Sequence, residues 1–306
     1  MNSQEIKVQS KKLKEIAKKF GYQIKHSHAL EILSYLYNGT HWHLSSLTKD
    51  WCFPVGIKGL DSDLMGGLNR GTLTSIVGGA NIGKTMFAVS IICNILRKKK
   101  KVLIYQLEGM KDEMRLRILS NLSGVEYGKL LDYEEKLTDD EKRKINKAKY
   151  DIMEKFLVIK EEMKFDYTIE ELSESIFSTR MDFKFDILLV DSGQLLSTKN
   201  NNMNYPKMMG KIFKQFKNIA RAYDCAVISP VQATTASEAK ELIKCEDIAE
   251  SFDIARISTN VLTLNMTDKE REEGFLRIYV AKAYGGLNGS VYKQKTNFSI
   301  CNLISG

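Results

Sequence analysis

No stretch of the 306-residue chain reaches the roughly 18 consecutive apolar residues that a membrane-crossing helix needs, which argues against a membrane protein. The first segment, MNSQEIKVQSKKLKEIAKKF, is charged throughout and lacks the apolar stretch of a secretory leader. Only 3 prolines occur and no low-complexity tract, so long unstructured linkers are not expected. The 5 cysteines, Cys52, Cys93, Cys225, Cys245 and Cys301, are scattered, odd in number and never spaced C-x-x-C. That pattern argues against a disulfide framework and a cysteine zinc site, and makes a reducing cytoplasm the expected setting.

What is present fits a globular α/β protein. Hydrophobic residues make up 43% and charged residues 27%, room for one large domain and a small appendage. Lys and Arg outnumber Asp and Glu by 46 to 38, a net charge of +8 that favours polyanionic partners without naming one. Residues 1–50 read as a small helical unit, with Leu13, Ile16, Ala17 and Phe20 and then Ala29, Ile32, Leu33 and Leu36 at helical spacing. CFPVGIKG reads as the connection into a larger domain over 51–306. From residue 72, strand-like runs (TLTSIV, KVLIYQL, FLVIK, FDILLVDS, CAVISPVQ) alternate with helical patterns, which predicts a mostly parallel sheet with helices on both faces. Thr138 and Glu141 form a capping-box pattern at one helix start. NVLTLNM, FLRIYVAKAY and SVYKQKTNFSICNLI predict a run of strands that extends the sheet antiparallel.

Chemistry enters at Gly78-Gly79-Ala80-Asn81-Ile82-Gly83-Lys84-Thr85, which fits G-x-x-x-x-G-K-[ST] between a strand and a helix. Glycines let the backbone approach phosphate oxygens, and the helix N-terminus supplies unpaired N–H groups and a positive dipole end. Lys84 would neutralise the β- and γ-phosphates of ATP, and the Thr85 hydroxyl would hold Mg²⁺. Asp191 ends the apolar run FDILLVD, where an acid can hold the metal's water shell. Glu108 follows VLIYQL and can polarise an attacking water; Gln232 ends AVISPVQ and can sense the γ-phosphate through its amide. Ligands of doubly wound sheets bind at the C-terminal strand edge, where all these residues would converge.

From about Gly56 onward the sequence resembles the ATPase domain of DnaB-type replicative helicases, a RecA-fold family of ring-shaped hexamers. The likeness is carried by GIKGLDSDLMGGLNRGTLTSIVGG, by LEGMKDEMRLRILSNLSGV with Glu108 and Arg117, by ILLVDSGQLL, by FKNIARAYDCAVISPVQATT and by EDIAESFDIA. It implies a RecA-like P-loop ATPase core preceded by the small helical unit, ATP and Mg²⁺ as cofactors, and 5′ to 3′ translocation on single-stranded DNA. A homo-hexamer is implied, with a primase or helicase loader as possible partner. It further implies Glu108, Lys84 and Gln232 as catalytic residues joined by Lys282 from the next subunit, and Glu250 and Ser251 in a loop facing DNA. Lys199 and Lys207, in STKNNNMNYPKMMGK, which reads as a long Asn-rich loop, are further DNA-contact candidates. Two positions depart from the family. Tyr284 stands where relatives carry an arginine that reaches the neighbouring ATP site, leaving Lys282 or Arg256 as substitute cations. Ala249 stands where relatives often carry arginine.

Two other readings accompany this one. A non-motor, ATP-gated DNA-binding assembly protein would suit Tyr284 and Ala249, and a RecA- or RadA-like recombination ATPase would share the phosphate loop. The histidine pairs His26/His28 and His41/His43 invite a metal site, but their spacing on a helical core and the absence of a completing acid or cysteine cluster argue for packing.

Overall fold

The computed structural model describes residues 11–12, 14–15, 51–131, 137–162, 166–199, 203–233, 241–245, 252–285 and 288–304. The histidine pairs, most of the predicted N-terminal helices, Asn200–Asn202, Ala249, Glu250 and Ser251 lie outside them. The chain divides into two compact units, residues 1–53 and 54–306.

Two short strands, β1 (Cys52–Phe53) and β2 (Leu68–Asn69), and helix α1 (Lys58–Asp63) precede the main sheet. Then come β3 (Leu73–Gly78), α2 (Lys84–Arg97), β4 (Val102–Gln106), α3 (Lys111–Ser123), α4 (Tyr127–Leu131) and α5 (Asp139–Lys147). The chain continues through β5 (Leu157–Glu161), α6 (Ile169–Asp182), β6 (Ile187–Asp191), α7 (Tyr205–Tyr223) and β7 (Ala226–Gln232). It closes with α8 (Phe252–Ile257), β8 (Asn260–Asn265), α9 (Asp268–Glu273), β9 (Phe275–Lys282), β10 (Val291–Asn297) and β11 (Asn302–Ile304). The main sheet has nine strands in the order β11-β10-β9-β8-β3-β7-β6-β4-β5. Strands β8 to β5 in that order run parallel, and β9, β10 and β11 extend the sheet antiparallel. The fold is therefore α/β, with a mostly parallel central sheet.

Strand side chains alternate between faces, and the alternation decides which residues reach the phosphate loop. Leu73 and Val77 of β3, Leu103 and Tyr105 of β4 and Leu188 and Val190 of β6 join one buried cluster with α6 and α7, through Leu172, Ile176, Phe213 and Phe216. The intervening residues Ile104, Gln106, Ile187, Leu189 and Asp191 therefore take the other face. Helix α2 packs there and buries nearly its whole circumference, from Met86 to Leu96. Such a helix cannot shift without disturbing the sheet, so its first turn is fixed in place.

Two details differ from expectation. The Asn-rich stretch was expected to remain a loop through Lys211, but α7 begins at Tyr205, capped by the Asn204 side chain on the Lys207 amide and carrying Pro206 in its first turn. A first-turn proline lacks only an N–H that has no helical partner. The C-terminal run is not all strand: α9 intervenes after β8, opened by a Thr267–Glu270 capping box, and a 3₁₀ turn at Phe298–Ile300 separates β10 from β11.

Candidate nucleotide site

Strand β3 delivers the chain into the glycine loop, and α2 begins directly after it. Gly83 caps α2 at φ 97°, a left-handed conformation that side-chain-bearing residues rarely adopt. This puts Lys84 and Thr85 in the first helical turn. The Lys84 ammonium donates to the carbonyls of Gly78 (3.1 Å) and Gly79 (2.5 Å) and to Gln232 Oε1 (2.7 Å). Thr85 Oγ1 donates to Asp191 Oδ2 at 3.2 Å.

The strand-end residues meet because their strands are neighbours. Gly78 and Gln232 are register partners, as are Gln106 and Asp191. Past the end of β4 the backbone amides of Leu107 and Glu108 both donate to the Asp191 carbonyl, at 2.6 and 3.2 Å. The Gln106 side chain donates to the Glu108 carbonyl. These bonds tie the Glu108 backbone to the end of β6 while its side chain stays exposed. Lys84, Thr85, Glu108, Asp191 and Gln232 all line one open cavity of about 630 Å³. The structure thus brings together every strand-edge residue that the sequence singled out.

Asp191 is buried at 3% exposure, and its carboxyl is pushed up to about 6. Burial is the main cause and the Glu108 charge adds to it; the Thr85 hydrogen bond, Arg117 and Lys84 pull the other way. A carboxylate so placed gains from a nearby divalent cation. Among the described residues no group of three His, Cys, Asp or Glu side chains forms a metal cage. Mg²⁺ is commonly held by a hydroxyl, one or two acids, water and the substrate's phosphates. The donor set of Thr85 and Asp191 beside a glycine cradle fits Mg²⁺–nucleotide.

Three residues at this site were not singled out individually. Gln194, in the turn after β6, accepts from the Gln232 amide and so fixes the end of β7. Arg271 of α9 donates to the carbonyl of Asn81 in the phosphate loop at 3.3 Å. Phe298, 45% exposed, lines the cavity and lies beside Gly83, where an added Cβ would stand 3.7 Å from its ring. The capping box at Thr267 marked the helix that carries Arg271; nothing local marked Phe298.

Other candidates lie elsewhere. Lys282 ends β9 opposite Val261, near the start of β8, at the sheet edge away from the phosphate loop. Its ammonium donates to the carbonyls of Ala255 (3.1 Å), Arg256 (3.0 Å) and Ser258 (2.7 Å), and burial lowers its pKa. The Tyr284 amide donates to Asn260 Oδ1 at 2.9 Å on the same edge. Lys199 is exposed, and its amide donates to Glu170 at 3.3 Å; Lys207 is exposed on the first turn of α7.

A family model described as the DnaB-like helicase C-terminal domain matches residues 52–298. A curated relative, the replicative DNA helicase DnaB of Helicobacter pylori, is 24% identical over 262 residues, covering 78% of this chain and 52% of the relative. The chain spans about half the length of the curated relatives it matches. Among solved structures, an ATPase domain superposes with a TM-score of 0.75 at 20% identity, covering 90% of this chain and 97% of that one. A DnaB-like replicative helicase, solved in a study of its interactions with primase, gives a TM-score of 0.73 at 18% identity, covering 97% of this chain and 76% of that one. At these identities the two structures speak to the fold.

Proposed function

The chain belongs to the DnaB-like helicase C-terminal domain family, and on that premise we propose that it is an ATP-driven DNA helicase motor, translocating 5′ to 3′ on single-stranded DNA as a ring of six copies. The observation that carries the proposal is the convergence of Lys84, Thr85, Glu108, Asp191 and Gln232 in one cavity at the C-terminal strand edge. Residues 78–85 take the phosphates, with Lys84 exchanging its carbonyl contacts for phosphate oxygens. Thr85 and Asp191 would hold Mg²⁺, which would supply positive charge to the phosphates.

Hydrolysis then needs a positioned water and charge stabilisation. Glu108 orients the water and takes its proton as the water oxygen bonds to the γ-phosphorus and the bond to the β-phosphate oxygen breaks, leaving ADP. Gln232, already in contact with Lys84, reports whether the γ-phosphate is present. Phe298 offers an aromatic face to the base beside the loop. Lys282 belongs to the far edge of the sheet and contributes to the site of a neighbouring copy. Lys199, Lys207, Glu250 and Ser251 face the DNA, a primase or loader is a partner, and the bacterial or phage-infected cytoplasm is the setting.

A second reading, an ATP-gated DNA-binding ring that does not unwind, is favoured by Tyr284, which offers no positive charge where the family carries arginine. Strand separation of a forked duplex, with ATP and Mg²⁺, tests the pair. ATP-dependent unwinding supports the motor; DNA binding gated by ATP without strand separation supports the second reading.

A further inference from the structure

Three cationic side chains gather at the sheet edge away from the phosphate loop, Lys217 and Arg221 of α7 and Lys282 of β9, and α8 ends beside them in the turn that carries Arg256. Two of them are committed to one turn of backbone. Lys282 donates to the carbonyls of Ala255, Arg256 and Ser258, and an ammonium has three N–H donors, so its capacity is filled. Lys217 donates to the carbonyl of the intervening Ile257 at 2.8 Å. The last turn of α8 is therefore clamped by two ammonium groups, in the place where positive charge best suits a helix C-terminus.

Arg256 rides on that clamped turn. Its side chain is 69% exposed and pairs with Asp253, one turn back, at 2.9 Å. An exposed pair of this kind contributes little, so the guanidinium can leave it for a stronger partner. It cannot reach its own chain's phosphate loop: the six residues of β3 separate the two edges, about 20 Å at the rise of a strand. The cavity, meanwhile, is open, and exposed apolar side chains flank it past the ends of β4 and β6, Met110 at 64% and Leu195 at 52%. Such a rim suits coverage by another copy of the chain.

We propose that Arg256, presented by the turn that Lys282 and Lys217 clamp, is the guanidinium that contacts the phosphates of a nucleotide bound to a neighbouring copy. Lys282 is then a positioning residue that acts through α8. This rests on the nucleotide reading above. It gives Tyr284 no charge to supply, and it gives the clamp a purpose: a mobile cation on a rigid mount.

Mixing experiments with the full chain test it. Arg256→Ala should lower kcat for ATP by at least about 1,000-fold, the low end of what a charge-neutralising arginine contributes, with KM little changed. Lys84→Ala should be inactive through loss of its own loop. Mixed together, the two inactive proteins should regain hydrolysis, because an intact loop in one copy meets an intact Arg256 in the next. Full activity of Arg256→Ala, or no recovery on mixing, overturns the proposal. Arg256→Gln is measured in parallel and replaces Arg256→Ala if the alanine protein does not melt as the wild type does. Arg221→Ala serves as the control on the neighbouring helix; loss of turnover there and not in Arg256→Ala also overturns it. A wild-type protein without turnover contradicts the nucleotide-hydrolysis reading instead. Arg256 is then judged by sedimentation with a non-hydrolysable ATP analogue, where wild type should assemble further than Arg256→Ala and equal assembly overturns the proposal.

Discussion

Lys84 donates to the Gly78 and Gly79 carbonyls and to Gln232, so the ammonium already sits where phosphate oxygens would compete for it. Replacing it with alanine should abolish ATP binding, read by titration with a fluorescent nucleotide; retained affinity would contradict its placement. Glu108→Gln should behave differently, binding ATP normally while hydrolysis falls by about 100-fold or more, the scale of a lost general base. Asp191 adds a pH dependence. Its carboxyl titrates near 6 instead of 3.8, so the folded protein binds a proton more readily than the unfolded chain does. Without metal, this residue's contribution to stability falls as pH rises through about 6, by up to about 3 kcal/mol. Asp191→Asn should therefore raise the melting temperature at neutral pH while removing Mg²⁺-dependent turnover, and wild-type Mg²⁺–nucleotide affinity should weaken as pH drops through 6. These residues were legible because each ends an apolar run and the glycine loop has a fixed spelling. Arg271 was not, since it meets Asn81 across 190 residues of sequence, a distance over which no local pattern speaks.

Among the elements, a threonine and a glutamate three residues apart made the start of α5 legible. The Thr138–Glu141 box opens α5, and the same device opens α6 at Thr168–Glu171 and α9 at Thr267–Glu270. The helix α9 was missed because its six residues, between two strong strands, carry no apolar periodicity, leaving the box as the sole sign. The start of α7 was similarly masked by asparagines that read as loop, although Asn204 and Pro206 are themselves start signals. Capping is worth about 1 kcal/mol, so Thr168→Ala should lower unfolding free energy by roughly that amount in urea titrations. Gly193 is a sharper case. A Cβ there would stand 2.5 Å from the Phe216 ring and 2.9 Å from Ser229 Oγ, at the turn that leads from Asp191 to Gln194. Gly193→Ala should cost about 1–3 kcal/mol of stability and slow hydrolysis together, because the same shift moves both strand ends.

At the scale of the whole molecule, the sheet sorts its chemistry by edge. The C-terminal edge of the parallel strands holds the nucleotide cavity, and the opposite edge holds the clamped turn of α8 with Arg256, Lys217 and Lys282. One chain cannot bring the two edges together, since the length of β3 separates them. The parallel core and its antiparallel extension could be read from strand-like runs and their spacing. The clamp on the last turn of α8 could not, because it joins residues of α7, α8 and β9 that are far apart in sequence. The most direct test of the account is steady-state ATP hydrolysis by the purified protein, with and without single-stranded DNA, across protein concentration. The expected result is turnover that single-stranded DNA stimulates and that rises more steeply than in proportion to protein as copies assemble. Tight ATP binding with negligible turnover at every concentration, with or without DNA, would contradict it.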